Sequence, residues 1–294
     1  MRILITGSGG FIGKHLVAFL EKNIPDLEIV HWNKTDGDLS QIETGKHLMQ
    51  IEGIDKIIHL ASNNFVPESW ERTGDYIIGN YTSTFNILEY CRHQQAELIY
   101  LSSYMYGNAK VIPIDEQAEL KVNNPYGFSK LSGENLCRFY HETFQFPVLV
   151  LRPFNIFGVG QREDFLIPYL VEQITNPAKK IVEVNDINPR RDYLHVNDFC
   201  ALLYKALLNH KGFDLFNVGY GQSYSVGEVI EKISNIAGDK KEIHAKNIVR
   251  TNEINDVVAD ISKASKILGW KPEMSFEEGL NQIIKFYQNQ FGKS

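Results

Sequence analysis

In Asn124-Pro125-Tyr126-Gly127-Phe128-Ser129-Lys130 a phenol and an amine stand four residues apart. Residues i and i+4 share a helical face, so the Lys130 ammonium is expected beside the Tyr126 hydroxyl. There it stabilises the phenolate and lowers the tyrosine pKa from about 10 toward neutrality. Such a group can exchange a proton with a bound hydroxyl or ketone. An ordinary helix start has the same spelling, so the decision rests on context. A strand, Leu98-Ile99-Tyr100-Leu101, delivers one more hydroxyl, Ser102, at its carboxyl end.

A second chemical signal opens the chain. The apolar run Arg2-Ile3-Leu4-Ile5-Thr6 leads into Gly7-Ser8-Gly9-Gly10-Phe11-Ile12-Gly13, and His15 to Glu21 continues with helical spacing. Strand, glycine turn and helix in this order make a dinucleotide site. Gly7 permits the tight turn, Gly10 lets the backbone approach a pyrophosphate, and Gly13 lets helix and strand pack closely. The pyrophosphate rests on the helix N-terminus, at Phe11 and Ile12, where free N–H groups and the dipole favour an anion.

The second strand, Glu28-Ile29-Val30-His31-Trp32, points its tip at the adenosine ribose. An acid there suits the 2′-hydroxyl of NAD(H), and a basic or polar residue suits the 2′-phosphate of NADP(H). Asn33 and Lys34 stand at that tip with no carboxylate before Asp36, which leans toward NADP(H). Asp36 or Asp38 still reaches the ribose if the strand ends later. Asp38, followed by Leu39, is expected beside the adenine or else as a solvated loop acid. A third buried run, Ile54 to Leu60, ends in Ala61-Ser62; Leu60 and Ala61 are expected where the cofactor crosses the sheet edge. His59 reads either as catalytic or as a satisfied core histidine.

Strands alternating with helices predict an α/β fold, a Rossmann-type doubly wound parallel sheet with a smaller C-terminal α/β substrate lobe. The 294 residues suffice for a sizeable core, and 43% hydrophobic with 22% charged residues disfavours disorder. A net charge of −6 argues against nucleic-acid and membrane-surface partners and for a small molecule. Cys91, Cys137 and Cys200 are widely spaced without a C-x-x-C partner, as in a reducing compartment, and no metal is expected. With no leader-like opening and no membrane-length apolar run, the expected location is the cytoplasm.

Several of these motifs together resemble the extended short-chain dehydrogenase/reductases, in particular the nucleotide-sugar epimerase/dehydratase branch. The resemblance covers nearly the whole chain. It adds His59-Leu60-Ala61, Asn80, Ser102 to Gly107, Arg152-Pro153-Phe154-Asn155-Ile156-Phe157-Gly158, Arg191-Asp192-Tyr193-Leu194-His195-Val196, Phe216-Asn217-Val218-Gly219, and the ending from Ala259-Asp260 to Trp270-Lys271-Pro272. It implies Tyr126 as acid/base at a sugar carbon and Lys130 on the cofactor ribose. It further implies Pro153 along the cofactor, Ser102, five residues before Gly107, on the reacting oxygen, and Asn80 as support from a helix start. Asn155 would meet the substrate diphosphate, Arg191 and Arg250 its phosphates, and Leu166-Ile167-Pro168 the base or sugar. Val257 aligns where a small side chain leaves room for a 2-acetamido group. A homodimer through the helices near 82–93 and 127–143 is expected by the same analogy.

The branch's 4,6-dehydratases carry an Asp-Glu pair after the catalytic hydroxyl; here Ser103 and Tyr104 follow, facing the substrate without an acid or base for elimination. The expected function is therefore oxidoreduction at C4 of a nucleoside-diphosphate sugar. A 4-ketoreductase leads; a 4-epimerase of the UDP-glucose or UDP-N-acetylglucosamine type that keeps NAD bound is the alternative. A non-catalytic dinucleotide sensor is disfavoured because the serine, tyrosine and lysine are all present. The dinucleotide-binding domain is expected over 1–157 and the substrate lobe over 158–294, with part of 195–220 returning to the first sheet.

Overall fold

The computed structural model describes residues 1–248 and 253–292. The first half runs β1 (Arg2–Thr6), α1 (Phe11–Asn23), β2 (Glu28–Trp32), α2 (Thr44–Leu48), β3 (Lys56–His59), α3 (Val66–Glu71), α4 (Thr73–Gln94), β4 (Glu97–Leu101), α5 (Pro125–Phe144) and β5 (Val148–Pro153). The second half runs β6 (Asn155–Phe157), α6 (Leu166–Thr175), β7 (Ile181–Val184), β8 (Arg190–His195), α7 (Val196–Asn209), β9 (Phe213–Val218), β10 (Ser223–Ser225), α8 (Val226–Ala237), β11 (Glu242–Ala245), α9 (Ser262–Leu268) and α10 (Phe276–Phe291).

Strands flanked on both sides and covered on both faces must be apolar throughout, and β1 obeys: Ile3, Leu4 and Ile5 are completely buried. They pair in parallel with β2 on one side and β3 on the other. The main sheet has the order β2-β1-β3-β4-β5-β9. Helices α1 and α7 cover one face, where Leu16, Leu20, Phe199 and Leu203 meet Ile3 and Ile5. Helices α4 and α5 cover the other, where Ile87, Cys91 and Cys137 meet Leu4 and Leu98. All three cysteines are free and buried. The chain leaves β1 toward β2 and later re-enters on the opposite side at β3, so a crevice opens at the carboxyl ends of β1 and β3.

Beyond β5 the chain builds a three-stranded sheet, β10-β8-β6, and a parallel pair, β11-β7. A separate core forms there, with Phe157, Leu170, Val229, Phe276 and Ile283 from β6, α6, α8 and α10. Capping boxes start α8 (Ser225 with Glu228) and α10 (Ser275 with Glu278). The chain returns to the first sheet at β9, paired with β5 from Val148↔Phe213 to Pro153↔Val218.

One boundary corrects the sequence-based expectation. Asn80 does not start a helix; α4 begins at Thr73, which puts Asn80 in the third turn. Gly74 and Gly79 lower the local helix propensity, but tertiary packing overrides it. Tyr76 is buried, and its hydroxyl pairs with Phe65 O at 2.9 Å and Glu68 Oε2 at 2.9 Å.

Candidate active site

The glycine turn sits at the crevice. Gly7 adopts φ +69, and a Cβ there would lie 3.0 Å from Ala61 N, so the ends of β1 and β3 converge. A Cβ on Gly13 would lie 2.3 Å from Gly7 O, so no side chain fits between α1 and the turn. Gly10 caps α1 without a side-chain hydrogen bond, which leaves the first-turn N–H groups at Phe11 and Ile12 open to an anion. These residues fit a pyrophosphate. Leu60 and Ala61 are half-buried beside them, and Ala61 N donates to Thr6 Oγ1 at 3.1 Å.

At the tip of β2, Asn33 ties down the turn: Oδ1 accepts from Gly9 N at 2.7 Å and Nδ2 donates to Ser8 Oγ at 3.0 Å. Asp36 accepts from Asn33 N at 2.8 Å, while Asp38 accepts from Ser40 N at 3.0 Å and faces Lys34 Nζ at 3.3 Å. Both carboxylates thus have partners within the loop, and Lys34 is 84% exposed. Leu39 turns inward to the core with Trp32 and Leu48, and its carbonyl accepts from Asn86, so its side chain does not line the crevice.

His59 resolves as a core residue. Its Nδ1 lies 2.7 Å from Thr6 Oγ1 and its Nε2 3.4 Å from Ser83 Oγ. Burial, helped by the nearby Lys130 charge, pulls its pKa down to about 3, so it stays neutral.

Helix α5 starts because Asn124 Oδ1 accepts from Gly127 N at 2.8 Å and Pro125 occupies the first turn. That start fixes Tyr126 half-buried at the mouth, edge-on to Tyr76. Asn80 does not touch the phenol. Its Nδ2 donates to Ser129 Oγ at 2.9 Å and Asn63 O at 3.0 Å, and Ser129 Oγ donates to Tyr126 O at 2.7 Å. Asn80 is therefore a positioning residue that joins the segment after β3 to the first turn of α5.

The ionisation pattern reverses the expected one. Burial pushes Tyr126 up to about 12, against the lowering effect of the Ser103 hydroxyl. Lys130 is buried with Nζ 4.9 Å from the centre of the Tyr100 ring. Burial pulls it down to about 8, although Cys137 and Glu134 pull the other way. Desolvation is the largest cause for both groups, and the Lys130 charge that the four-residue spacing suggested is not among the causes acting on Tyr126. Tyr126 is consequently a neutral phenol at physiological pH, a proton donor.

The serine is also corrected. Ser102 is fully buried and donates to Glu134 Oε1 at 2.5 Å, so it does not face a substrate. Ser103, the next residue, is the one whose hydroxyl meets Tyr126. The backbone explains this: Ser102 N donates to Leu151 O and Tyr104 N to Pro153 O, so the chain stays extended beside β5 and side chains alternate. Two adjacent serines made the one-residue choice invisible to counting from Gly107. The ground on which a dehydratase is disfavoured is the same for Ser103 as for Ser102: Tyr104 and Met105, not an acid and a base, follow it.

Tyr104 leads from Tyr126 toward the second lobe, stacked on Phe154 with ring centres 5.0 Å apart and its hydroxyl 3.5 Å from Asn155 Oδ1. Asn155 Nδ2 donates to Asp192 O at 3.1 Å. Arg191 donates to Ile254 O at 2.6 Å and pairs with Glu253, with Tyr104 in its field. Leu166 opens α6 half-buried, and Pro153 ends β5 in the interior. Val257 corrects a further expectation: it is fully buried with Tyr106, Ile114 and Phe154, so its side chain cannot touch a sugar in this structure. Arg250 lies outside the described residues. Glu134, absent from the sequence-based site, had a signal: it lies on the inward stripe of α5, four residues from Lys130.

A crevice at a topological switch point, an uncapped glycine turn, and Ser103 beside Tyr126 with Lys130 one turn along α5 are the marks of an extended short-chain dehydrogenase/reductase. The GDP-mannose 4,6 dehydratase family model matches residues 4–283, and the chain belongs to that family. It is 29% identical over 299 residues to the GDP-6-deoxy-D-mannose reductase of Pseudomonas aeruginosa, covering 98% of each. It is 30% identical over 310 residues to a putative UDP-glucose 4-epimerase of Methanocaldococcus jannaschii, again covering 98% of each. A solved structure of RMD from Pseudomonas aeruginosa complexed with NADPH superposes with a TM-score of 0.90 at 30% identity, covering 98% of this chain and 99% of that one.

Proposed function

We propose that the protein is an NADP(H)-dependent 4-ketoreductase of a nucleoside-diphosphate sugar. The observation that carries this reading is the placement of Tyr126 in the first turn of α5, beside Ser103 at the mouth of the dinucleotide crevice. A bound nicotinamide cofactor supplies the hydride for the carbonyl carbon. Tyr126 gives its proton to the carbonyl oxygen as that carbon is reduced, and the phenolate is later reprotonated from solvent. Ser103 hydrogen-bonds the same oxygen and stabilises the charge developing there. Lys130 holds the ribose hydroxyls, and the Gly7 to Gly13 turn holds the pyrophosphate. Partnered Asp36 and Asp38 and the exposed Lys34 favour a 2′-phosphate over a bare 2′-hydroxyl. Arg191 and Asn155 take the substrate's diphosphate, with Leu166 along the base.

Purified protein given NADPH and a nucleoside-diphosphate 4-keto sugar should oxidise one NADPH per sugar reduced. NAD copurifying with the protein, together with interconversion of 4-hydroxyl epimers without net cofactor consumption, would replace this reading by the epimerase. The similarity to the archaeal putative epimerase supports that second reading.

Homodimerisation through α4 and α5 and a cytoplasmic location belong to the same proposal. The exposed Ile78 and Tyr81 on α4 and Phe128 and Phe139 on α5 favour the dimer. Among the described residues, no helix is long and apolar enough to cross a membrane.

A further inference from the structure

Beneath the site lies a buried polar chain that the proposed reaction does not use. Glu134 and Arg152 are each 6% exposed in their side chains. Glu134 Oε1 accepts from Ser102 Oγ at 2.5 Å and from Arg152 Nε at 2.9 Å, and Oε2 accepts from Arg152 Nη2 at 2.6 Å. Arg152 Nη1 donates to Tyr106 Oη at 2.8 Å, Tyr106 Oη donates to Asn217 Oδ1 at 2.6 Å, and Asn217 Nδ2 reaches Ile114 O at 2.9 Å. The chain joins α5, the end of β4, β5, β9 and the loop between β4 and α5. All five side chains are satisfied.

An enclosed ion pair contributes little net stability compared with apolar residues of similar volume. Its distinctive contribution here is geometric. The grip of Glu134 on Ser102 and the backbone bonds to β5 fix the end of β4, and with it the place of the adjacent Ser103, whose hydroxyl meets Tyr126 two turns back along the same helix. The gripping acid stands one helical turn from Lys130. A single helix therefore carries the proton donor, the amine and the anchor of the hydroxyl that completes the set.

We propose that Glu134, held by Arg152, is a positioning residue for this site: by binding Ser102 it sets the end of β4 so that Ser103 meets the Tyr126 phenol. The consequence for turnover rests on the reductase reading above; the geometry does not.

The test compares Ser102→Ala, Glu134→Gln and their double variant, with the parent as reference. With NADPH and a nucleoside-diphosphate 4-keto sugar, each single change should lower kcat about tenfold to a hundredfold with KM nearly constant, as misplacement by about an ångström does. The double variant should be no worse than the weaker single, because both changes cut one tether. Unchanged kcat in a folded single variant, losses that multiply, or a change confined to KM would overturn the proposal. If Glu134→Gln does not fold, Glu134→Met with Arg152→Met replaces it. Retained fold with reduced kcat then supports the proposal, and retained fold with full kcat overturns it; Ser102→Ala decides alone if neither folds. A crystal structure of Ser102→Ala gives an answer independent of turnover: Ser103 displaced from Tyr126 supports the proposal, and an unmoved Ser103 defeats it. A parent protein that reduces no nucleotide sugar would therefore sink the reductase reading while leaving this structural arm to decide.

Discussion

Two arginine–glutamate pairs occupy opposite ends of the site, and they differ in how they are enclosed. Arg152 and Glu134 are each 6% exposed, and Ser102 and Tyr106 take up their remaining hydrogen bonds. Arg191 and Glu253 are 18% and 14% exposed, next to Tyr104 and Asn155 at the cleft. The first pair is framework: neither charge can be released without stranding the other in low dielectric. The second is held through one contact, Arg191 Nη2 to Glu253 Oε1, and on the proposed reading a substrate phosphate would compete for that guanidinium. Arginine by itself thus says little about function; what can compete for it says more.

The largest effect expected lies between the two pairs. Tyr126→Phe should fold and bind cofactor normally yet lose about 10² to 10⁴ in kcat, as measured by single-turnover NADPH oxidation. Retained turnover would remove the phenol from the chemistry and leave the pairs without a shared purpose. Next, Glu134→Leu should cost about 3–5 kcal/mol of stability in urea unfolding, because it strands the buried Arg152. Glu253→Leu should cost less than Glu134→Leu, because Arg191 keeps its hydrogen bonds to Arg190 O and Ile254 O. Equal losses would erase the distinction between framework and exchangeable pair.

Arg191→Met should raise the KM for the nucleotide sugar about tenfold to a hundredfold with kcat nearly unchanged, the loss of one charge-assisted contact of about 1.5–3 kcal/mol. A fall confined to kcat would place Arg191 with the catalytic end instead. The smallest effect is acid–base. Lys130, lowered to about 8, is an ammonium below that pH and an amine above it. Turnover should therefore decline about fourfold between pH 7 and 8.5 on a single ionisation, and Lys130→Arg should flatten that limb. KM should show no such slope, because Arg191 remains charged throughout.

Legibility in the sequence followed contiguity. The glycine turn, the tip of β2 and the start of α5 are local motifs whose backbone geometry one strand or helix dictates, so their placement in the fold is legible in the sequence. The choice between Ser102 and Ser103 depended on which face of an extended backbone α5 covers, a relation across 32 residues in sequence. Asn80 misled because Gly74 and Gly79 mask the first turns of α4, where Tyr76 packing does what propensity does not. Val257 misled because alignment to a sugar contact cannot report a side chain closed in behind Phe154. The Tyr126 ionisation runs opposite to what the spacing implies, since spacing is silent about desolvation.

The return of β9 to the first sheet has a consequence for dissecting the molecule. A fragment stopping after Phe157 would lack α7 and β9, leaving β5 as a bare edge and Ile3, Ile5 and Leu151 without the Phe199 and Leu203 that cover them. Such an edge is a template for strand addition by another chain. The two parts of the chain thus share one sheet, and exchanging either for a counterpart from elsewhere requires carrying 196–218 along with the sheet it completes.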